Sequence, residues 1–110
     1  MAYDEVLAER IRARLGKRSG VIEKKMFGGI AFLLKGNMCC GVHGKEMIVR
    51  LAPEATETAL ATRHTRRFDL TGRPMKGWIL VAPKGLASEA SLAKWIRVAT
   101  GYAGSLPAKR

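Results

Sequence analysis

The part of the sequence that most constrains the fold is the stretch of residues 23–51, in which short apolar runs alternate with turn residues. Gly36-Asn37 separates the first two runs, and a glycine there permits the positive φ that a tight hairpin needs. His43-Gly44-Lys45 separates the second run from the third in the same way. Strands joined by links this short can only pair as antiparallel neighbours. The stretch therefore predicts a β-meander, which the rest of the chain must cover.

The Gly28-Gly29 pair, near the start of this stretch, allows two interpretations. It is either a further chain reversal between two strands or a bulge that kinks one long strand. The first interpretation adds one strand to the sheet, so the predicted sheet has five to six strands.

Helical patterns lie on both sides of the meander. Apolar residues at a spacing of four predict an amphipathic helix over residues 4–15. A short helix is predicted over residues 53–62, where a proline occupies the first helical position. The final helix is predicted over residues 88–103, with Ser88 as its N-cap.

Two further strands are expected between the last two helices. Phe68 and Leu70 flank Asp69 in a pattern that favours one short strand, and residues 78–81 form an apolar run that favours another. The predicted fold is therefore α+β. It has an antiparallel sheet of five to six strands and the element order α-β-β-β-α-β-β-α. A single domain spanning residues 1–110 is expected from the chain length.

The charge balance is unusual, because 20 Lys and Arg residues face 9 Asp and Glu residues and give a net charge of +11. Five of the cations cluster in the second half of the chain: Arg63, Arg66, Arg67, Arg73 and Lys76. Such an excess favours binding to a polyanion through counterion release. The alternative is that the charge only keeps a small protein soluble. Asp69, the one acid among these cations, is expected to form an ion pair with Arg67 or Arg73.

The sequence favours a cytoplasmic protein without a membrane partner. No apolar run approaches the roughly 18–20 residues that span a bilayer, and the N-terminal segment does not resemble a signal peptide. The two cysteines, Cys39 and Cys40, are adjacent. Because a disulfide between neighbouring cysteines is strained, both are expected to be thiols in a reducing compartment.

Cys39, Cys40 and His43 form the one cluster with metal-ligand chemistry. On a regular strand the two cysteines point to opposite faces, and only Cys39 shares a face with His43. One strand then cannot offer all three side chains to a single ion, so no metal and no other cofactor is expected. No spacing of serines, histidines or carboxylates indicates a catalytic site, and we expect a protein that is not an enzyme.

Three motifs occur in the order and at the spacing typical of a known family. They are KKMFGG at residues 24–29, GNMCCGV at residues 36–42 and TGRPMKGW at residues 71–78. With its first and last helices, the chain resembles the TfoX N-terminal domain family over nearly its whole length. The resemblance implies a two-layer α+β fold and a stand-alone N-terminal domain, without the second domain of full-length TfoX/Sxy proteins. Those proteins are implicated in natural competence and act alongside the cyclic-AMP receptor protein on promoters.

Three functions remain open on the sequence. The first, favoured by the resemblance, is a non-enzymatic regulatory or adaptor domain that binds a regulatory protein partner and is linked to competence or transcription regulation. The second is direct, weakly sequence-selective binding of nucleic acid through the five clustered cations. The third is a thiol or metal sensor at Cys39-Cys40. A homodimer is a further expectation, because several strands are apolar on both faces.

Overall fold

The computed structural model describes residues 3–16, 20–26, 28–69 and 76–108. Within these residues, helices and strands follow one another in the order α1 (Glu5–Leu15), β1 (Val21–Met26), β2 (Gly29–Leu34), β3 (Asn37–His43), β4 (Glu46–Arg50), α2 (Thr56–Leu60), β5 (Thr65–Arg67), β6 (Trp78–Val81) and α3 (Glu89–Ser105). Short 3₁₀ segments at Pro53–Ala55 and Pro83–Leu86 precede α2 and α3.

The strands pair antiparallel throughout and form a sheet of six in the order β1-β2-β3-β4-β6-β5. Helices α1 and α3 bury their apolar stripes against one face of this sheet and form the larger hydrophobic core with it. The predicted α+β class and antiparallel sheet are confirmed. Among the helices of the described residues, none has the length and apolar character needed to cross a bilayer.

The link at Gly28-Gly29 is a chain reversal and not a kink in one strand. Met26 and Gly29 are register partners, so the chain turns back between them, with Gly28 at a φ of 73°. A Cβ on Gly29 would lie 1.9 Å from the carbonyl oxygen of Val42, which is closer than any side chain tolerates. Gly28 therefore serves the turn and Gly29 the close approach of β2 to β3. This reversal is the reason that the sheet has six strands.

The hairpin between β2 and β3 turns one residue earlier than predicted. Its two loop residues are Lys35 and Gly36, with φ values of 52° and 85°. Two successive positive φ values match the right-handed twist of the strands that they join. Asn37 therefore belongs to β3, where its side-chain amide donates a 2.9 Å hydrogen bond to the carbonyl oxygen of Pro107.

Part of the second face of the sheet is covered from within the chain. Phe68 leaves the sheet directly after β5 and is buried against residues of this face, with its ring 5.6 Å from the ring of Trp78. The predicted strand around Asp69 is therefore wrong: the strand ends at Arg67, because Phe68 packs across the sheet instead of pairing in it. Leu70, the other residue assigned to that strand, lies outside the described residues.

Both long helices begin at side-chain caps. The Asp4 carboxylate accepts a hydrogen bond from the Leu7 backbone N–H at the start of α1. Ser88 does the same for Ser91 at the start of α3, which confirms its prediction as an N-cap. The helix predicted over residues 53–62 is shorter than expected, since a 3₁₀ turn comes first and the α-helix is confined to Thr56–Leu60.

Candidate functional site

The predicted basic cluster is divided by the sheet. Arg66 and Arg67 are neighbours in β5, so their side chains leave opposite faces. Arg66 donates two hydrogen bonds to the Glu46 carboxylate, at 2.9 Å and 2.7 Å. Arg67 donates two to the Glu57 carboxylate, at 2.9 Å and 3.0 Å. Each guanidinium group is thus paired with a carboxylate in the geometry that suits it best.

The pairing is reflected in the acid–base properties of these groups. The hydrogen bond from Arg67 lowers the pKa of Glu57, and the hydrogen bond to Glu46 raises the pKa of Arg66. A carboxylate oxygen of Asp69 lies 3.4 Å from the guanidinium group of Arg66. Of its two predicted partners, Arg67 instead binds Glu57, which reaches it through the packing of α2 beside β5, and Arg73 lies outside the described residues.

The other three members of the cluster, unlike Arg66 and Arg67, are not seen in ion pairs among the described residues. Arg63 and Lys76 are exposed, and neither forms an ion pair with another described residue. Arg73 lies outside the described residues. Of the four cluster members that the structure describes, two are therefore exposed cations without an ion-pair partner among the described residues.

In the described part of the chain, arginines and lysines differ in how often they form ion pairs. Three arginines of α1 also hold carboxylates: Arg10 and Arg14 pair with Glu89, and Arg12 pairs with Glu23. No described lysine forms an ion pair with another described residue. The positive charge that stays accessible to a partner is therefore carried largely by lysines.

Arg50 is a notable residue that sequence reasoning did not single out. Its guanidinium carbon lies 5.2 Å from the ring centroid of Trp78 and 5.5 Å from that of Tyr102. Such stacking on two rings holds a cation in place by cation–π attraction. Trp78 is the register partner of Arg50 on the neighbouring strand, whereas Tyr102 comes from α3. The sequence offered no signal for this triplet, because its three members meet only in the folded chain.

The two cysteines lie on the same face of the sheet, so their predicted opposite orientation is wrong. Phe32 pairs with Cys40 while Leu33 pairs with Met38, and Cys39 is the extra residue of a β-bulge. The bulge breaks the alternation and buries both thiols in the helix-covered core. The hydrogen bond between the two thiols and their burial raise the pKa of Cys40. His43 follows the alternation set by Cys40 and Val42 and belongs to the opposite face.

Metal-ligating side chains do not gather elsewhere in the described residues. No group of three or more His, Cys, Asp or Glu side chains there is placed to hold an ion.

An exposed edge and a groove occupy the opposite side of the sheet from β5. β1 pairs with β2 alone, and residues 22–25 are exposed. A groove of about 360 Å³ runs between the end of α1 and β1. We call it the α1–β1 groove, and its lining residues are Arg12, Leu15, Gly16, Val21, Ile22, Glu23 and Phe32.

The ion pair at this groove fixes its rim. Arg12 donates hydrogen bonds of 2.5 Å and 2.7 Å to the two carboxylate oxygens of Glu23. These bonds lower the pKa of Glu23 and raise the pKa of Arg12. The pair ties β1 to α1, and both of its residues line the groove beside Leu15, Val21 and Phe32.

Taken together, these features define a small α+β domain with a six-stranded antiparallel sheet, paired arginines and an exposed lysine-bearing edge. The chain belongs to the TfoX N-terminal domain family, whose family model matches residues 13–103. No curated protein and no solved structure matches the chain at a significant level.

Proposed function

We propose that this chain is a non-enzymatic regulatory or adaptor domain that acts in the cytoplasm by binding a regulatory protein, with a role in competence or transcription regulation. Membership of the TfoX N-terminal domain family is the observation that carries the proposal. The family model matches residues 13–103, so the proposal concerns the domain that these residues form.

The ion pairs at β5 support a protein partner over a nucleic acid. Arg66 and Arg67 are already bound to Glu46 and Glu57 through paired hydrogen bonds. A phosphate group would have to compete with carboxylates that are held at ideal geometry. Two of the predicted phosphate-binding cations are therefore already paired with carboxylates of the same chain, at exposed positions.

Affinity purification from the host cell tests the proposal. The tagged full chain is crosslinked briefly in cells, and the lysate is treated with nuclease so that nucleic acid cannot bridge two proteins. We expect one partner in an amount comparable to the chain, since an adaptor acts by forming a stoichiometric complex. An unrelated basic protein of similar size and pI is the control for capture by charge alone. Recovery of no protein above that control would contradict the proposal.

Direct nucleic-acid binding is the second candidate, and the exposed, unpaired Arg63 and Lys76 favour it. A salt titration with duplex DNA tests it, because each phosphate contact contributes to the decline of affinity with salt. The double variant Arg63→Glu/Lys76→Glu should bind more weakly and show a flatter salt dependence. Lys84→Glu, which reverses an exposed charge elsewhere, is the matched control. This candidate would be removed if both variants lost the same amount of affinity for duplex DNA, or if neither lost any.

A further inference from the structure

We propose that β1 is the docking edge for the partner, and that it accepts an extended, acidic segment of that protein as a seventh strand of the sheet. This inference rests on the proposed protein-binding function and names the surface and the kind of segment involved. It combines three observations: an open strand edge, unpaired lysines on that edge, and an apolar groove beside it.

The open edge is the first observation. β1 is six residues long and pairs with β2 on one side only. Along its outer side, no strand of the described residues pairs with the backbone N–H and C=O groups, and four successive residues are exposed. Such an edge binds an extended peptide through main-chain hydrogen bonds. The opposite edge, β5, is three residues long and carries the two paired arginines, so it is protected in the way that natural sheet edges usually are.

The charge on β1 is the second observation. Lys24 and Lys25 are exposed on opposite faces of the strand, and neither forms an ion pair with a described residue. Glu23, the one acid of β1, is bound to Arg12. An incoming strand therefore meets two uncompensated positive charges and one neutralised negative charge. Acidic side chains beside Lys24 and Lys25 would make favourable cross-strand pairs.

The apolar part of the surface is the third observation. Ile22 is 56% exposed and is one of two large hydrophobic residues with such exposure in the described chain. Its register partner is Leu33, so its side chain lies on the same face of β1 as Lys24, whereas Val21 shares the face of the α1–β1 groove with Leu15 and Phe32. Apolar side chains on the groove-facing side of the incoming strand can contact this groove, while acidic side chains on its other side lie beside Lys24. The expected segment thus alternates acidic and apolar residues.

A second copy of this chain fits the edge poorly. A twofold antiparallel pairing of β1 with itself, centred on the middle of the strand, places either Glu23 opposite Glu23 or Lys24 opposite Lys24. Like charges directly opposite destabilise a strand pair. Each copy also carries a net charge of +11, which adds repulsion between them. An acidic partner reverses both effects.

Binding of synthetic peptides to the full chain tests the inference. The probe is a ten-residue peptide of alternating Val and Glu with blocked ends. The control peptide has the same charge but carries Pro in place of every second Val. Proline removes backbone N–H donors and prevents β-structure. We expect saturable binding of the first peptide and at least tenfold weaker binding of the second. Equal binding of both would mean that charge alone is responsible and would overturn the inference, as would no binding of either.

Variants and NMR locate the site. Ile22→Glu and Lys24→Glu/Lys25→Glu should each weaken peptide binding at least tenfold, whereas Lys84→Glu should leave it unchanged. Amide spectra of each variant confirm that it is folded. On addition of the peptide to the wild-type chain, amides of residues 21–26 should shift and exchange more slowly with solvent. Shifts centred on β5 instead, or a dimer by light scattering that Ile22→Glu abolishes, would overturn the inference.

The experiments distinguish a failure of the docking edge from a failure of the proposed protein-binding function. If the host partner is captured equally by wild type and by Ile22→Glu, the protein-binding function holds and the docking edge is wrong. If the peptide binds β1 as expected but no partner is captured from cells, the docking edge holds and the proposed function is contradicted.

Discussion

At the scale of single residues, Gly29 lies where β2 leaves its turn and passes close to β3. We expect Gly29→Ala to lower the free energy of unfolding by about 2 kcal/mol or more, because the added Cβ meets a backbone carbonyl that cannot move without disturbing the sheet. Denaturant unfolding followed by circular dichroism measures the change.

The matched control is Gly101→Ala in α3. A Cβ at Gly101 meets no atom within 4 Å, and the position is helical. This variant should gain roughly 0.5–1 kcal/mol, because alanine loses less backbone freedom than glycine on entering a helix. Equal effects of the two substitutions would show that the contact with Val42 is unimportant.

The ion pair between Arg12 and Glu23 gives a second prediction at this scale. The folded state lowers the pKa of Glu23, so the pair's contribution is present above the unfolded-state pKa of about 4.3 and is lost as pH falls through the lower folded-state value. Glu23→Gln should therefore cost stability at neutral pH and nothing in strong acid. The loss in the free energy of unfolding should be under about 1 kcal/mol, because the side chains of Arg12 and Glu23 are 38% and 35% exposed and water screens the pair.

Urea unfolding of both proteins over a series of pH values measures this difference. Glu5→Gln is the control, because Glu5 is an exposed glutamate that forms no ion pair with a described residue. A constant difference between wild type and Glu23→Gln at all pH values would contradict the prediction.

At the scale of the element, the bulge in β3 decides the chemistry of both cysteines. It places Cys39 and Cys40 in the helix-covered core, where their exposed fractions are 1% and 0%. Burial and the raised pKa of Cys40 both reduce the amount of reactive thiolate. This weighs against the thiol-sensor hypothesis, which stays a prediction to be tested.

Alkylation kinetics provide that test. We expect iodoacetamide to label Cys39 and Cys40 slowly in the native protein and rapidly in denaturant, because reaction requires the core to open. Ala90→Cys, on the exposed first turn of α3, serves as an internal reference that should react at the rate of an accessible thiol. Labelling of the native pair as fast as this reference would support a sensor and contradict the expected burial.

At the scale of the whole molecule, oligomeric state follows from how the sheet is covered. A homodimer is predicted because strands such as β2 are apolar on both faces. Phe68 and Trp78 cover part of the second face from within the chain, so the apolar surface left for a partner copy is smaller than the sequence indicates. Light scattering across micromolar concentrations measures the mass, and a monomer mass throughout would contradict the homodimer.

Much of the fold was predictable because its signals are local. Apolar spacing placed α1 and α3, and Ser88 marked a helix start. Glycines marked the links between the strands of the meander but left Gly28-Gly29 open between a reversal and a bulge. Each depends on backbone geometry or on neighbours within a few residues. The two errors in element position, one residue at the Lys35-Gly36 turn and the shift of β5, have a common cause. In both cases the residue at the boundary, Asn37 or Phe68, was fixed by a contact with a distant part of the chain.

The candidate site was much less predictable. The sequence showed five clustered cations, but only the pairing of β5 with β6 and its contact with α2 brought Glu46 and Glu57 to Arg66 and Arg67. The sequence also could not show that β1 would be an edge, since strand order in a sheet depends on which distant strands meet.

The sequence by itself determined the elements, the hairpins, the charge and the family of this protein, because these depend on residue type and short-range spacing. Tertiary structure alone decided which arginines are neutralised, which face the cysteines share and which strand stays open to a partner. The physical reason is that ion pairing, burial and edge exposure are properties of groups brought together across the sheet, often twenty or more residues apart in sequence.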